Sequence, residues 1–167
     1  MRIEVAVLLL LALAACGRDE APPAAAKALS CAADGAITAQ GAWLREQADA
    51  NGMTAAYFTV CNGTMQPAIL TGVSTGVAGL AELHETTRDE NGVVSMAPTG
   101  PIALAPGERV VFEPGGRHVM LMSLSGAVKA GDPAELSLQF EDGSSVVVEA
   151  IAKSAVEAAT PESHEGH

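Results

Sequence analysis

Leu136-Ser137-Leu138-Gln139-Phe140-Glu141-Asp142-Gly143-Ser144-Ser145-Val146-Val147-Val148 is the stretch that decides the fold class. Leu136, Leu138 and Phe140 alternate with polar residues, and Val146 and Val148 resume the alternation beyond Asp142-Gly143, a pair with hairpin-turn chemistry. The segment therefore reads as a β-hairpin with one buried face. Outward from it, Ile37 to Leu44, Thr54 to Cys61, Ala68 to Val73, Glu108 to Phe112 and His118 to Leu124 are further short runs rich in Val, Ile, Leu, Thr and Phe. Asn62-Gly63, Pro106-Gly107, Pro114-Gly115-Gly116 and Gly131-Asp132-Pro133 punctuate them. With Glu135 to Phe140 and Val146 to Ile151, this spacing predicts an all-β sandwich or small barrel of about seven to nine strands. No long helical stripe competes, although Gly79 to His84 also reads as a turn of helix, and no internal repeat is present.

The chain has 167 residues, 49% of them hydrophobic but only 3% aromatic, which makes one domain with an aliphatic core. Its 9 Lys plus Arg against 20 Asp plus Glu give a formal charge of −11. Such a surface repels phosphate backbones, so nucleic-acid binding is a poor expectation, while cations and basic partners suit it.

Residues 1–15 hold an apolar run, Val5 to Ala15, that is too short to span a bilayer and fits a secretory signal, with Glu4 offsetting its positive start. The run closes on Leu13-Ala14-Ala15-Cys16, which resembles a bacterial lipobox and implies lipidation of Cys16. The alternative is a soluble secreted protein cut after a small-residue pair. Gly17, rather than Asp, after the cysteine favours the outer over the inner membrane. Residues 16–30, with Pro22-Pro23 and Ala24-Ala25-Ala26, read as a lipidated tether, residues 31–152 as the folded domain, and residues 153–167 as a mobile acidic, His-containing tail.

With Cys16 consumed by lipid, Cys31 and Cys61 are the thiols left in an oxidising compartment, which points to a structural disulfide. Closing that loop stabilises by about 3 kcal/mol in the chain-entropy model. A redox-active pair is the other reading, though Cys-x-x-Cys spacing is absent. Free or metal-bound thiols remain a third.

In Arg117-His118-Val119-Met120-Leu121-Met122, strand alternation puts His118, Met120 and Met122 on one face, with Val119 and Leu121 on the other as a core pair. Upstream, His84 ends Leu80-Ala81-Glu82-Leu83, and Met96 precedes Ala97-Pro98. Two imidazoles and two thioethers make a soft donor set that suits Cu(I) and is poor for Mg, Ca or Mn. Thioethers carry no proton to lose, so only the histidines make affinity fall in acid. Taken singly, each of these residues reads equally as core filler or as surface. Met122 reads as packing, and Met53 and Met65, in predicted loops, as packing or surface.

The spacing of His84, Met96, His118 and Met120 resembles that of the periplasmic copper chaperone family PCu(A)C. The likeness extends over Gly41-Ala42-Trp43, Ala55-Ala56-Tyr57-Phe58, Leu83-His84-Glu85, Pro114 to Met122 and Leu138 to Gly143. It implies a cupredoxin-like Greek-key barrel with an exposed Cu(I) site. It also implies a periplasmic protein that hands copper to the dinuclear centre of cytochrome c oxidase subunit II, directly or with a Sco-type thiol protein. Glu85 departs from the family, which commonly has Met directly after the first His; a carboxylate there would harden the site.

In the tail, His164 and His167 with Glu162 and Glu165 offer nitrogen and oxygen donors suited to Cu(II) or Zn(II), or simply solubilise. Two other classes stand beside a metallochaperone: a non-metal structural envelope lipoprotein, and a blue-copper electron carrier. The carrier needs a Cys thiolate next to its His and Met ligands, and neither Cys31 nor Cys61 lies in such a loop. No nucleophile elbow, His-Glu-x-x-His or phosphate loop supports an enzyme.

Overall fold

A computed structural model of the chain describes Cys31 and residues 34–159. The expected signal, Cys16 and the tether, as well as His164 and His167, lie outside the described residues. Ten strands and a short helix follow in order: β1 (Ile37–Arg45), β2 (Thr54–Asn62), β3 (Ala68–Thr75), β4 (Ala78–Arg88), β5 (Val94–Pro98), β6 (Ile102–Leu104), β7 (Arg109–Phe112), β8 (Arg117–Leu124), β9 (Pro133–Phe140), β10 (Ser145–Lys153) and α1 (Ala155–Ala159).

The count exceeds the seven to nine expected because β4, β5 and β6 are strands as well. β4 covers Gly79 to His84 and removes the helical alternative there. Its Ala, Glu and Leu favour helix intrinsically, but a ladder with β8 that runs from Ala78↔Leu124 to Glu85↔Arg117 satisfies its backbone and overrides that preference.

The sheet follows the order β5-β4-β8-β2-β1-β10-β9-β3-β6, with β7 paired to β2. Within it, the path from β4 to β3 begins and ends on strands joined in the chain only by Gly76-Val77. The sheet is therefore rolled on itself, which is the cupredoxin-like architecture, with β5 and β6 as its free edges. β1 runs antiparallel to β2 and parallel to β10, where Trp43 pairs with Ile151.

Inside the roll, Leu44, Leu70, Leu121, Leu136 and Leu138 are fully buried, and Phe58 stacks on Phe112 with centroids 4.3 Å apart. The β9–β10 hairpin forms as expected. Phe140 N donates to Ser144 O at 3.0 Å, and Gly143 adopts φ +82°, the left-handed conformation that closes a three-residue loop.

A disulfide joins Cys31 to Cys61, their Cα atoms 5.6 Å apart, so these two thiols are neither free nor metal-bound in this structure. Lys153 and residues 155–159 carry regular structure. β10 continues through Lys153, and Ser154 starts α1 with a capping box: Glu157 N donates to Ser154 Oγ at 3.3 Å, while Ser154 N donates to the Glu157 carboxylate at 2.9 Å. The Ser154 hydroxyl, donating to the Glu157 carboxylate at 2.6 Å, and after it Ser154 N hold the Glu157 carboxyl below its ordinary pKa.

Candidate metal centre

β2 changes partner along its length, and the change makes a site. Thr54 to Ala56 pair with β8, whereas Phe58 to Cys61 pair with β7. Near the β8 half, a cavity of about 450 Å³ is lined by Met53, Thr54, Tyr57, Met96, His118 and Met120 among others.

Three adjacent strands deliver the four predicted residues to one face. Across the β4–β8 ladder, Glu82 pairs with Met120 and His84 with His118. On the outer edge, Thr86 of β4 pairs with Met96 of β5. Paired residues in an antiparallel ladder project to the same side, so Glu82, His84, Met96, His118 and Met120 share a face. Val119 and Leu121 point the other way and are fully buried in the core. Glu85 also points away from that face, where its register partner Arg117 meets it at 3.5 Å, so its carboxylate does not harden the donor set.

His118 is the best-defined donor. It is buried, and its two nitrogens face two acceptors: Gly116 O lies 3.1 Å from Nδ1 and Met96 Sδ lies 3.2 Å from Nε2. A neutral imidazole has one N–H to give. The carbonyl is the stronger acceptor, so Nδ1–H donates to Gly116 and the Nε2 lone pair is left facing a sulfur lone pair. That contact is unfavourable until a cation sits between the two. With bonds of about 2.0 and 2.3 Å, as in zinc sites, a tetrahedral angle puts nitrogen and sulfur roughly 3.5 Å apart, so the observed separation is near that of two ligands on one ion.

His84 is fixed in the complementary tautomer. Its Nε2–H donates to Glu82 Oε2 at 3.1 Å, and its Nδ1 is buried without a protein hydrogen-bond partner. The His84 and His118 rings stand 5.8 Å apart. A carboxylate on one nitrogen and an unpartnered lone pair on the other is the usual arrangement behind a metal-binding histidine. His84 is the one predicted donor that does not line the 450 Å³ cavity; it adjoins it through His118.

Met96 is 52% exposed and Met120 half-buried, so the thioether side of the site opens to solvent. Among the described residues no three His, Cys, Asp or Glu side chains converge, so a hard-ligand cage is absent there. Tyr57 stacks on Trp43 at 4.3 Å and stands 6.4 Å from His118. Burial raises the Tyr57 pKa, and the Arg45 guanidinium partly opposes it. Two features escaped the sequence reading: Glu82 as the carboxylate behind His84, and Met53 as a further sulfur on the cavity wall. The i, i+2 spacing of Glu82 and His84 on a strand was a usable signal for the first.

The fold is that of PCuAC domains. The copper-bound PCuAC domain from PmoF2 superposes with a TM-score of 0.59 at 28% identity, covering 71% of this chain and 92% of that one. Cu(I)-DR1885 from Deinococcus radiodurans gives a TM-score of 0.51 at 31% identity, covering 79% of this chain and 84% of its own. The chain belongs to the family described as "Putative lipoprotein LpqE-like", whose sequence profile matches residues 37–152. A relative from Leifsonia xyli subsp. xyli, "Putative lipoprotein Lxx21020", is 31% identical over 144 residues, or 86% of this chain and 84% of that protein.

Proposed function

We propose that the protein is a periplasmic Cu(I) metallochaperone, anchored through a lipid on Cys16 and favouring the outer membrane, that carries one copper ion on His84, Met96, His118 and Met120. The observation that carries this reading is the pairing of His118 Nε2 with Met96 Sδ at 3.2 Å while His118 Nδ1 is committed to Gly116 O. The unpartnered Nδ1 of His84 and the copper-bound state of the PmoF2 and DR1885 domains support it.

Copper is cargo here, and no bond of a substrate is made or broken. Fixed histidine tautomers present lone pairs without reorganisation, and the neutral thioethers leave easily because no charge separates when they go. An acceptor's thiolates bind a soft ion more strongly and draw it off one ligand at a time, which gives transfer its direction. The receiving site proposed is the dinuclear copper centre of cytochrome c oxidase subunit II, directly or with a Sco-type thiol protein; the same site equally serves general handling of envelope copper. In the tail, His164 and His167 are proposed to hold Cu(II).

The test is titration of the protein with Cu(I) against a competing chelator, beside a Met96→Ala, Met120→Ala double variant. A 1:1 site lost in the variant supports the chaperone. Equal affinities, or none, leave a structural lipoprotein.

A further inference from the structure

The cavity wall carries a sulfur outside the four-residue set. Met53 is 60% exposed, yet it lines the same 450 Å³ cavity as Met96, His118 and Met120. An exposed methionine on a loose loop would mean little, but this backbone is held on both sides. The Gln47 amide donates to Met53 O at 2.9 Å, and Thr54 Oγ1 donates to Arg45 O at 2.6 Å. Gln47 itself is tied to the barrel by a two-way backbone bridge to Val128, with both bonds at 2.8 Å. Gly52 makes room for this clamp: a Cβ there would come within 2.9 Å of the Gln47 side chain. The segment thus fixes the Met53 Cα at the mouth and leaves only an unbranched thioether free to swing, the property that lets methionine adapt to a moving partner. Met65, by contrast, is 81% exposed and does not line the cavity.

We infer that Met53 is a further copper ligand, a mobile thioether at the mouth that takes Cu(I) as the ion enters or leaves the position held by Met96, His118 and Met120. The inference rests on the copper reading above and extends it from a static site to a route. A ligand of this kind offers the ion a donor at each step of exchange. It also keeps the donors soft, so the route disfavours Mg(II), Ca(II) and Mn(II) as the site does.

The experiment is NMR of the full chain labelled at the methionine methyl groups, titrated with Cu(I) under reducing conditions, with Ag(I) as a redox-silent second probe. The methyl signals of Met96 and Met120 are expected to move with the first equivalent, that of Met53 with them, and that of Met65 not at all. Met53→Leu, which keeps the volume and removes the sulfur, is expected to slow Cu(I) exchange with a chelator while lowering affinity by less than the roughly 10–100-fold that follows loss of a partner behind a resident ligand. A Met53 signal that stays still while Met96 and Met120 move overturns this inference and leaves the site standing. If none of the three moves, both are overturned. An exchange rate for Met53→Leu equal to that of the unaltered protein also overturns it.

Discussion

His84 and His118 are register partners across the β4–β8 ladder, their rings 5.8 Å apart and their planes inclined at 48°. Each turns one nitrogen to a fixed acceptor, Glu82 Oε2 for the first and Gly116 O for the second, and keeps the other free of any N–H donor. The pair is thus prepared by hydrogen bonds that the ladder itself positions.

Removing the carboxylate behind His84 should weaken copper binding without disturbing the fold. Glu82→Leu is expected to lower Cu(I) affinity by about 10–100-fold in chelator competition. Glu82→Gln, whose amide oxygen still accepts from Nε2–H, should retain more of it. Far-ultraviolet circular dichroism of both variants should match the unaltered protein.

Trp43 is the only tryptophan, and through Tyr57 it stands two ring contacts from His118. Loading with Cu(I) should change its fluorescence with a 1:1 end point. The Met96→Ala, Met120→Ala variant, which leaves the Trp43 stack intact, should show no change.

The bridge between Cys31 and Cys61 lies where β2 pairs with β7, away from the donors. Cys31→Ser with Cys61→Ser should lower unfolding free energy by about 3–4 kcal/mol, the entropic value for a loop of this length. Urea titration should show an earlier midpoint, while Cu(I) affinity remains unchanged.

Tyr57 is the only tyrosine, so alkaline difference absorbance reads it alone. Its midpoint should lie above the ordinary 10.0, because burial disfavours the phenolate. A raised folded-state pKa means that this group's share of stability is complete below the unfolded value and declines as pH rises through the folded midpoint. Arg45→Ala, which removes the opposing charge, should push the midpoint higher still.

The seven runs read from the sequence became seven of the ten strands because each carries a buried alternating face or a β-branched run bounded by a turn. The other three lack that signature for separate reasons. β4 is written in Ala, Gly, Glu and Leu and becomes a strand through its long-range partner β8. β5 is exposed along all five residues and so shows no alternation, and β6 is three residues long. Spacing and alternation placed His118 and Met120 side by side, and the strand pairing adds His84 and Met96 to their face. The place of Met53 on the cavity wall was illegible because that cavity is assembled from β1, β2, β4, β5, β8 and adjoining loops, which no local pattern encodes.

β5 has one neighbour, and its outer backbone is bonded to nothing in the sheet. Met96 is therefore held by a single ladder, while His84, His118 and Met120 sit on strands gripped from both sides. Peeling that outermost ribbon a few ångströms would unhook one sulfur and leave the histidine pair undisturbed. Under the copper reading proposed above, the rolled sheet would set the order of release, with Met96 the first to let go.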